Sequence, residues 1–529
     1  MLIVSTPRSD LHPIPVDNDA DASRHEARQV TMMSVDTDAE LRSPYHAMRP
    51  TVPYILPQNL PIYLSVHPCI PFTIHPHDLF HAESSHRQTH HDIAPPLLPL
   101  HLQTLPFAPA PTKIRLALLA KALCDALGGP AEFCPRFSFD FVSHMQPNDN
   151  FDLPAGVWTD DTSMALALAR SIATGGMKGG MDAADQLDAY YRWWRDGDLS
   201  ATGRCFDIGN TIQRAVSMYQ DALRAAGAVD SPGKGAGGVL RRVGAALSSP
   251  TTKTEKREKR RKAAIEAALP RIARDMAGGG EDEGKVGEYA RESSATTHPN
   301  VVCGEACAVW AQCVARVVRT ADKAAAAGWA VVEGMTKLDV LHHFAAFPYT
   351  TPALRKALAA DEPLPASAAG DPAAMEAHYL THHRLLRLAA ETQRASALAE
   401  GDTPNPTADA DALAEARTLA VLPQAAALPS SGYVVDTLAA ALYAFLATTT
   451  LEAGALLTAN MGNDADTVAA VYGGLAGAWY AVEDSGKTGD KDGEGLFWSP
   501  RVREWRDALV RRDIVEEVAE ELVAFAQRS

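Results

Sequence analysis

Long apolar runs, a cysteine framework and an excess of positive charge are all missing from this 529-residue sequence. No uninterrupted apolar run reaches the ~18 residues that a transmembrane helix requires. Met1 to Thr6 also lack the basic start and apolar centre of a signal peptide. The formal charge of −16 disfavours a nucleic-acid-binding protein. We therefore expect a soluble monomer, cytoplasmic or nuclear, with no membrane partner and no nucleic-acid partner.

The sequence has few cysteines, and their arrangement is not that of a disulfide scaffold or a zinc site. There are seven of them, an odd number, and no two form a CxxC pair. Scattered cysteines of this kind are typical of reduced intracellular thiols. Without CxxC pairs or a histidine cluster in the helical region, zinc is a poor candidate for any metal site.

Composition divides the chain into two regions. Residues 1–110 are rich in proline and histidine, show no sustained helical or strand period, and are expected to be disordered. Residues 111–529 contain helical patterns almost throughout, with expected insertions near 251–292 and 352–430. The predicted fold is therefore all-α, a compact multi-helix domain behind a disordered extension.

Two stretches place acidic residues at the start of an apolar helix. The first is WTDDTSMALALARSIA, Trp158 to Ala173, and the second is GNDADTVAAVYGGLAGAWY, Gly462 to Tyr480. Aspartate and threonine are favoured N-caps, so capping alone is one explanation. If the two starts met, however, four carboxylates would share a pocket and would repel one another unless cations intervened. Carboxylate and hydroxyl oxygens suit Mg²⁺ or Mn²⁺, and two such ions would balance four acids.

The second helix also carries three glycines, Gly473, Gly474 and Gly477. Each costs up to about 1 kcal/mol relative to alanine in a helix interior. Three of them in one helix predict the close approach of another backbone.

Four other candidate residues have two interpretations each. Glu132, in PAEFCPR, is a loop charge or a site residue, and the same choice applies to Asp125 at the end of the preceding helix. Asp207 is read first as the N-cap of the helix from Ile212, and His298 as a helix-entry residue rather than a substrate contact. The glycines of GKGAGG match GxGxxG but follow no strand, which excludes a Rossmann site.

Taken together, several motifs resemble the ADP-ribosylglycohydrolase family, which includes the dinitrogenase reductase-activating glycohydrolases. They follow that family's order and spacing from about residue 110 to about 510, and they are CDALGGPAE, WTDDTSMAL, GRCFDIGNT, SATTHP, SGYVVDTLAAAL and GNDADTVAAVYGGLAGAWY. The paired acidic helix starts are the most specific of these motifs. The resemblance implies an all-helical fold and hydrolysis of the bond that joins ADP-ribose to a protein side chain or small acceptor.

The resemblance also implies roles for individual residues. Two Mg²⁺ or Mn²⁺ ions would be held by Thr159, Asp160, Asp161, Asp464, Asp466 and Thr467. Glu132 resembles the acid that acts near the scissile bond, and Asp160, Asp161 and Asp464 would join it in catalysis. Substrate contacts would come from the glycine-rich loops and a histidine, namely Asp207, Gly209, Gly235, Gly237, Gly238 and His298.

The sequence departs from the family pattern at three positions. Cys124 and Asn463 stand where the family usually has glycine, and Ala236 replaces the asparagine of a GNG phosphate loop. No proposed metal ligand is changed, but the fit of the substrate is affected, because a side chain can obstruct a close backbone approach. A non-catalytic ADP-ribose-binding protein on the same fold, or a two-metal hydrolase of another phosphorylated compound, are the alternatives.

Overall fold

The computed structural model describes residues 99–174, 181–225, 283–326, 334–398, 410–484 and 494–528. Within these ranges the regular structure is helical, and only two isolated β-bridges occur. The α-helices are α1 Ala110–Gly128, α2 Asp160–Thr174, α3 Ala183–Asp196, α4 Asn210–Ala225, α5 Glu283–Ala295, α6 Val301–Ala326, α7 Lys337–Ala345, α8 Pro352–Leu358, α9 Pro372–His382, α10 Arg384–Leu398, α11 Ala410–Val421, α12 Val434–Ala447, α13 Leu451–Ala459, α14 Ala465–Trp479, α15 Pro500–Ala508 and α16 Arg512–Arg528. The all-α prediction is confirmed.

The centre of the fold is an antiparallel pair formed by α1 and α14. A Cβ on Gly473 would lie 2.5 Å from the Ala120 carbonyl oxygen, and one on Gly477 would lie 2.5 Å from the Leu116 carbonyl oxygen. These glycines therefore let two backbones touch, as their number in one helix predicted. Gly474 is different, because a Cβ there would meet nothing within 4 Å.

The same pairing brings the end of α1 to the start of α14. A Cβ on Gly128 would lie 2.6 Å from the Asp466 Cα atom. Helix α2 also packs against α1 and α14, and its residues are buried almost all round. The C-terminal end of α1 and the N-terminal ends of α2 and α14 therefore meet at one place.

Helix α6 requires a correction to the expectation that no segment could span a membrane. Val301–Thr320 has a mean hydropathy of 1.5 and is, by length and composition alone, long and apolar enough to cross one. Glu305, Arg316 and Arg319 lie within this segment, so it is not an uninterrupted apolar run. The helix packs against α1, α12 and α14 and buries Ala306, Val309 and Cys313, and 44% of the apolar segment is buried inside the structure.

Two segments that were expected to lie outside the main helical domain contribute buried residues to it. Leu100 is fully buried, and its N–H donates to Glu376 Oε1 at 2.8 Å, so residues before 111 already belong to the helical domain. In the 352–430 region, expected as an insertion, Leu385 and Leu428 are fully buried in the main core. Most of the other expected insertion, together with Gly235, Ala236, Gly237 and Gly238, lies outside the described residues.

Candidate functional site

The two acidic helix starts are in direct contact. The Thr467 hydroxyl lies 2.7 Å from Asp161 Oδ2 and 2.9 Å from Asp464 Oδ1, so it joins the start of α14 to that of α2. The Thr159 hydroxyl lies 3.1 Å from Asp466 Oδ2 and makes the second link. A hydroxyl has one hydrogen to donate and also lone pairs. Each threonine can therefore hold a carboxylate while its oxygen still faces a cation.

Asp125 explains why α2 begins where it does. Its Oδ1 accepts from the Thr159 N–H at 2.9 Å and from the Thr159 hydroxyl at 3.0 Å, while its Oδ2 accepts from the Thr162 N–H at 2.9 Å. A carboxylate on α1 thus satisfies the free N–H groups at the start of α2. This role leaves Asp160 and Asp161 available for other partners, and we assign Asp125 to positioning them.

The capping explanation also fails at Asp464. This residue occupies the N-cap position of α14, yet its side chain makes no capping hydrogen bond to the helix backbone. Its Oδ1 meets the Thr467 hydroxyl instead. N-terminal capping therefore does not explain the side chain of Asp464 at the start of α14.

Glu132 joins the aspartates from the loop that follows α1. It is 2% exposed, and its carboxylate can place an oxygen within 4.8 Å of oxygens of both Asp464 and Asp466. The loop is fixed by paired backbone bonds, in which the Phe133 N–H donates to the Asn463 carbonyl at 2.6 Å and the Asn463 N–H donates to the Cys134 carbonyl at 2.7 Å.

A buried arginine supports the same loops from behind. Arg136 donates to the Met461 carbonyl at 2.9 Å, the Leu428 carbonyl at 2.9 Å and the Ser430 hydroxyl oxygen at 3.1 Å. The Ser430 hydroxyl in turn donates to the Gly462 carbonyl at 3.0 Å, and burial lowers the pKa of Arg136 to about 10. The backbone that presents Asp464 is thus held by a network of long-range hydrogen bonds that no local sequence pattern predicts.

Burial and mutual repulsion dominate the electrostatics of the site. Burial first, and then neighbouring carboxylates, raise the pKa values of Glu132, Asp160 and Asp466 well above their ordinary values. For Asp161 the same burial raises the pKa to about 7. Among the described residues, these acids also have buried carboxylate oxygens without a hydrogen-bond partner, namely Glu132 Oε2, Asp160 Oδ2, Asp161 Oδ1 and Asp466 Oδ1. Unpaired buried oxygens of this kind fit a hard divalent cation.

We expect the cation-free protein to lose stability as the pH rises from about 4 to about 8. A group whose pKa is raised by folding contributes fully below its unfolded value, about 3.9 for aspartate. That contribution is lost as the pH rises through the folded value, which is about 7 for Asp161. Thermal unfolding in EDTA across this range measures the loss. Excess Mg²⁺ should remove most of it by binding the folded site, and a flat profile in EDTA would contradict the prediction.

Asp207 lies near the same acids. Its carboxylate contributes to the raised pKa values of Glu132, Asp160 and Asp466. Its backbone is left-handed, with φ of 54°, and helix α4 begins three residues later at Asn210. Gly209 precedes that helix, and its carbonyl accepts from the Gln213 N–H at 2.9 Å. The carboxylate is therefore associated with the acidic site as well as with a helix entry.

His298 lies between the end of α5 at Ala295 and the start of α6 at Val301. Its backbone N–H donates to the Ser294 carbonyl at 2.7 Å, and burial lowers its pKa. Its Nδ1 lies 3.0 Å from the Thr297 hydroxyl, while its buried Nε2 has no hydrogen-bond partner among the described residues. Its role as a substrate contact stays a prediction.

The match to known proteins now decides the family. A family model described as ADP-ribosylglycohydrolase matches residues 108–529. The chain belongs to the ADP-ribosylglycohydrolase family. The matched region includes every acidic residue of the site described above, and it also takes in the 352–430 region.

Two curated relatives in this family match shorter segments. The chain is 40% identical over 126 residues to the ADP-ribosylarginine hydrolase Tri1 of Pseudomonas putida (strain GB-1), which is 24% of this chain and 33% of that protein. It is 31% identical over 137 residues to the ADP-ribosyl-[dinitrogen reductase] glycohydrolase of Rhodospirillum rubrum, which is 25% of this chain and 43% of that protein. The matches thus span less than half the length of these relatives.

A solved structure titled ADP-ribosylglycohydrolase-related protein complex is also similar. It is 26% identical, covers 79% of this chain and 99% of its own, and has a TM-score of 0.43.

The structure accommodates two of the three departures from the ADP-ribosylglycohydrolase pattern. Asn463 has a φ of 59°, a left-handed conformation that asparagine tolerates better than most residues, and its amide donates to the Ser430 hydroxyl oxygen at 3.2 Å. Cys124 is buried, and its Sγ would lie 3.0 Å from a Cβ on Gly473. Cys124 therefore fills space where α1 meets α14.

Proposed function

We propose that this protein is a divalent-cation-dependent hydrolase that cleaves the N-glycosidic bond between ADP-ribose and an arginine side chain of a protein. The observation that carries the proposal is the convergence of buried carboxylates with unpaired oxygens at the starts of α2 and α14. Family membership and the activities named for the two relatives support the substrate class. An ADP-ribosylated protein is the proposed partner.

The donor set matches Mg²⁺ or Mn²⁺ in chemistry and in charge. Six residues would hold two such ions, namely Thr159, Asp160, Asp161, Asp464, Asp466 and Thr467. When bound, the ions supply positive charge that orients ribose hydroxyls and stabilises charge developing in the transition state. The protein's own contribution is to fix these oxygens at two helix starts, with Asp125 and Arg136 holding the backbone behind them.

Glu132 is the proposed general acid. Burial first, and then the surrounding carboxylates, raise the pKa of Glu132 and favour its neutral form, which is the form that a general acid needs. That proton would pass from the Glu132 carboxyl group to the departing guanidine nitrogen. Once ionised, the same carboxylate can accept a proton from the attacking water, which restores the starting state.

Asp207 and Gly209 are proposed to contact the substrate beside Glu132. A carboxylate accepts hydrogen bonds from hydroxyl groups, and the position of Asp207 near Glu132 and Asp160 suits the ribose part of the substrate. An intracellular location, cytoplasmic or nuclear, belongs to the same proposal, since no disulfide joins any of the six cysteines in the described residues.

The test is release of ADP-ribose from substrates linked through arginine, serine or an acyl group, each assayed with Mg²⁺, with Mn²⁺ and with EDTA. We expect release from the arginine-linked protein that depends on the added cation. Binding of ADP-ribose and cations without release from any linkage would favour the non-catalytic alternative. Turnover confined to phosphorylated compounds without a ribosyl linkage would favour a different hydrolase.

A further inference from the structure

A buried lysine lies one helical turn before Asp125. Lys121 is 5% exposed, and its Nζ makes no hydrogen bond among the described residues. A buried ammonium without a partner is costly unless opposite charge lies nearby. Residues four apart on a helix share a face, so Lys121 and Asp125 lie on the same side of α1.

Two other buried lysines show how unusual this is. Lys113, also on α1, donates to the Ala478 carbonyl at 2.9 Å and the Pro106 carbonyl at 3.3 Å. Lys337 donates to the Phe445 carbonyl at 2.6 Å and the Tyr480 hydroxyl oxygen at 2.7 Å. Both therefore satisfy backbone groups at helix ends. Lys121 has no such task among the described residues, and another reason is needed for its burial.

Negative charge at the start of α2 supplies that reason. Asp125 is a fully buried carboxylate on the same face of α1, one turn from Lys121. It is already tied to Thr159, a proposed cation ligand, and to Thr162, so the charge of Lys121 lies behind a fixed carboxylate that contacts the cation site. The positive charge thus lies behind the cluster, on the α1 side.

We propose that Lys121 is a built-in counter-cation of the acidic cluster, which stabilises the site without divalent cations and weakens the binding of those cations. Its ammonium offsets part of the repulsion among the carboxylates when no cation is present. The same charge repels a bound cation, so affinity is lower than the carboxylates alone would give. The inference rests on the proposed function only through the cation site.

The test compares Lys121→Met with the wild-type full chain. Binding of Mn²⁺ and of Mg²⁺ is measured by isothermal titration calorimetry at one pH, and thermal unfolding is measured in EDTA. We expect Lys121→Met to bind the cations about tenfold more tightly. The substitution removes a full positive charge that repels them, and this repulsion is strong in a buried site of low effective dielectric. Tenfold corresponds to about 1.4 kcal/mol. In EDTA the variant should melt at a lower temperature than the wild type.

Three further variants keep the test decisive. Lys121→Arg retains the charge and should bind cations like the wild type. Lys113→Met removes a buried lysine from the same helix, away from the acids, and should lower stability without changing affinity. Lys121→Gln, neutral and polar, replaces the methionine variant if that one does not fold.

The outcomes separate this inference from the proposed function. Cation affinity within twofold of the wild type, or weaker, in the neutral Lys121 variants overturns the role of Lys121. An equal gain in Lys113→Met overturns it as well, because the effect would then not be local. If the wild-type protein binds no divalent cation, the proposed cation site is wrong, and so is the cation-dependent part of the proposed function.

Discussion

Replacing Asp464 or Asp466 by alanine is expected to abolish both ADP-ribose release and the binding of two divalent cations. Each change removes a charged oxygen donor from a buried site, and Asp466 is only 1% exposed. Loss of a residue that merely supports a ligand costs about 10- to 100-fold in metal affinity, so loss of a ligand should exceed that. Calorimetric titration with Mn²⁺, together with metal analysis of the purified variants, measures the effect.

Stability separates the loss of a ligand from general unfolding. Removing one of several mutually repelling carboxylates relieves strain in the cation-free state, so neither variant should melt below the wild type in EDTA. Both should lose the rise in melting temperature that cations give the wild type. A double variant, Asp464→Ala with Asp466→Ala, that still holds two cations would disprove the assignment.

Asp182→Ala is the matched control. Asp182 is a true N-cap, whose Oδ1 accepts from the Ala184 N–H at 2.9 Å and the Asp185 N–H at 3.3 Å. Its loss should cost about 1 kcal/mol of stability and leave cation binding unchanged. The comparison sets an aspartate that caps the N-terminus of a helix against aspartates at a helix start that are proposed to bind cations.

The sequence was sufficient to predict the helices that carry the site. Helix α14 runs from Ala465 to Trp479, close to the predicted segment, because its apolar composition and acidic start are local properties. The close approach at Gly473 and Gly477 was also predictable, since glycine in a helix interior is costly unless a neighbour requires it. Gly474 shows the limit of that reasoning, because nothing in the local pattern distinguishes it from the other two.

The supporting residues were not predictable in the same way. Asp125 caps a helix that begins 35 residues later, and Arg136 reaches carbonyl groups nearly 300 or more residues away. Such pairings depend on how distant helices pack, and no periodicity in the sequence records them. The same holds for Lys121, whose pattern on α1 is that of any solvent-facing lysine. The chemistry of each side chain can therefore be predicted from the sequence, but its partner in the folded protein cannot.

Glu132→Gln is expected to lower turnover by about 10²- to 10⁴-fold, the usual scale for loss of a general acid or base, while cation content stays the same. Glutamine keeps the size of the side chain, and the loop should hold its place, because the Asn150 amide bonds to the Glu132 backbone carbonyl at 3.0 Å. What is lost is a carboxyl group that can deliver a proton. Single-turnover rates and metal analysis of the same preparations measure the two quantities.

The result decides between two roles that the geometry allows for Glu132. Its carboxylate lies within reach of Asp464 and Asp466 as a third cation ligand, and a ligand must be ionised, whereas a general acid must carry a proton. If Glu132 is a ligand, cation content falls together with turnover. If it is the acid, wild-type turnover falls as the pH rises through the raised pKa of Glu132, and this dependence disappears in the variant.

A loop charge without a role would give a third pattern, in which turnover changes less than a few-fold and cation content does not change. Glu504→Gln provides the scale for that pattern, because the Glu504 side chain is 62% exposed and pairs with His144 at 3.1 Å. Burial is the physical reason to expect the larger effect at Glu132. A carboxyl group withdrawn from water beside several other acids is unstable when ionised, and a group kept neutral in this way is suited to giving up its proton as a leaving group departs.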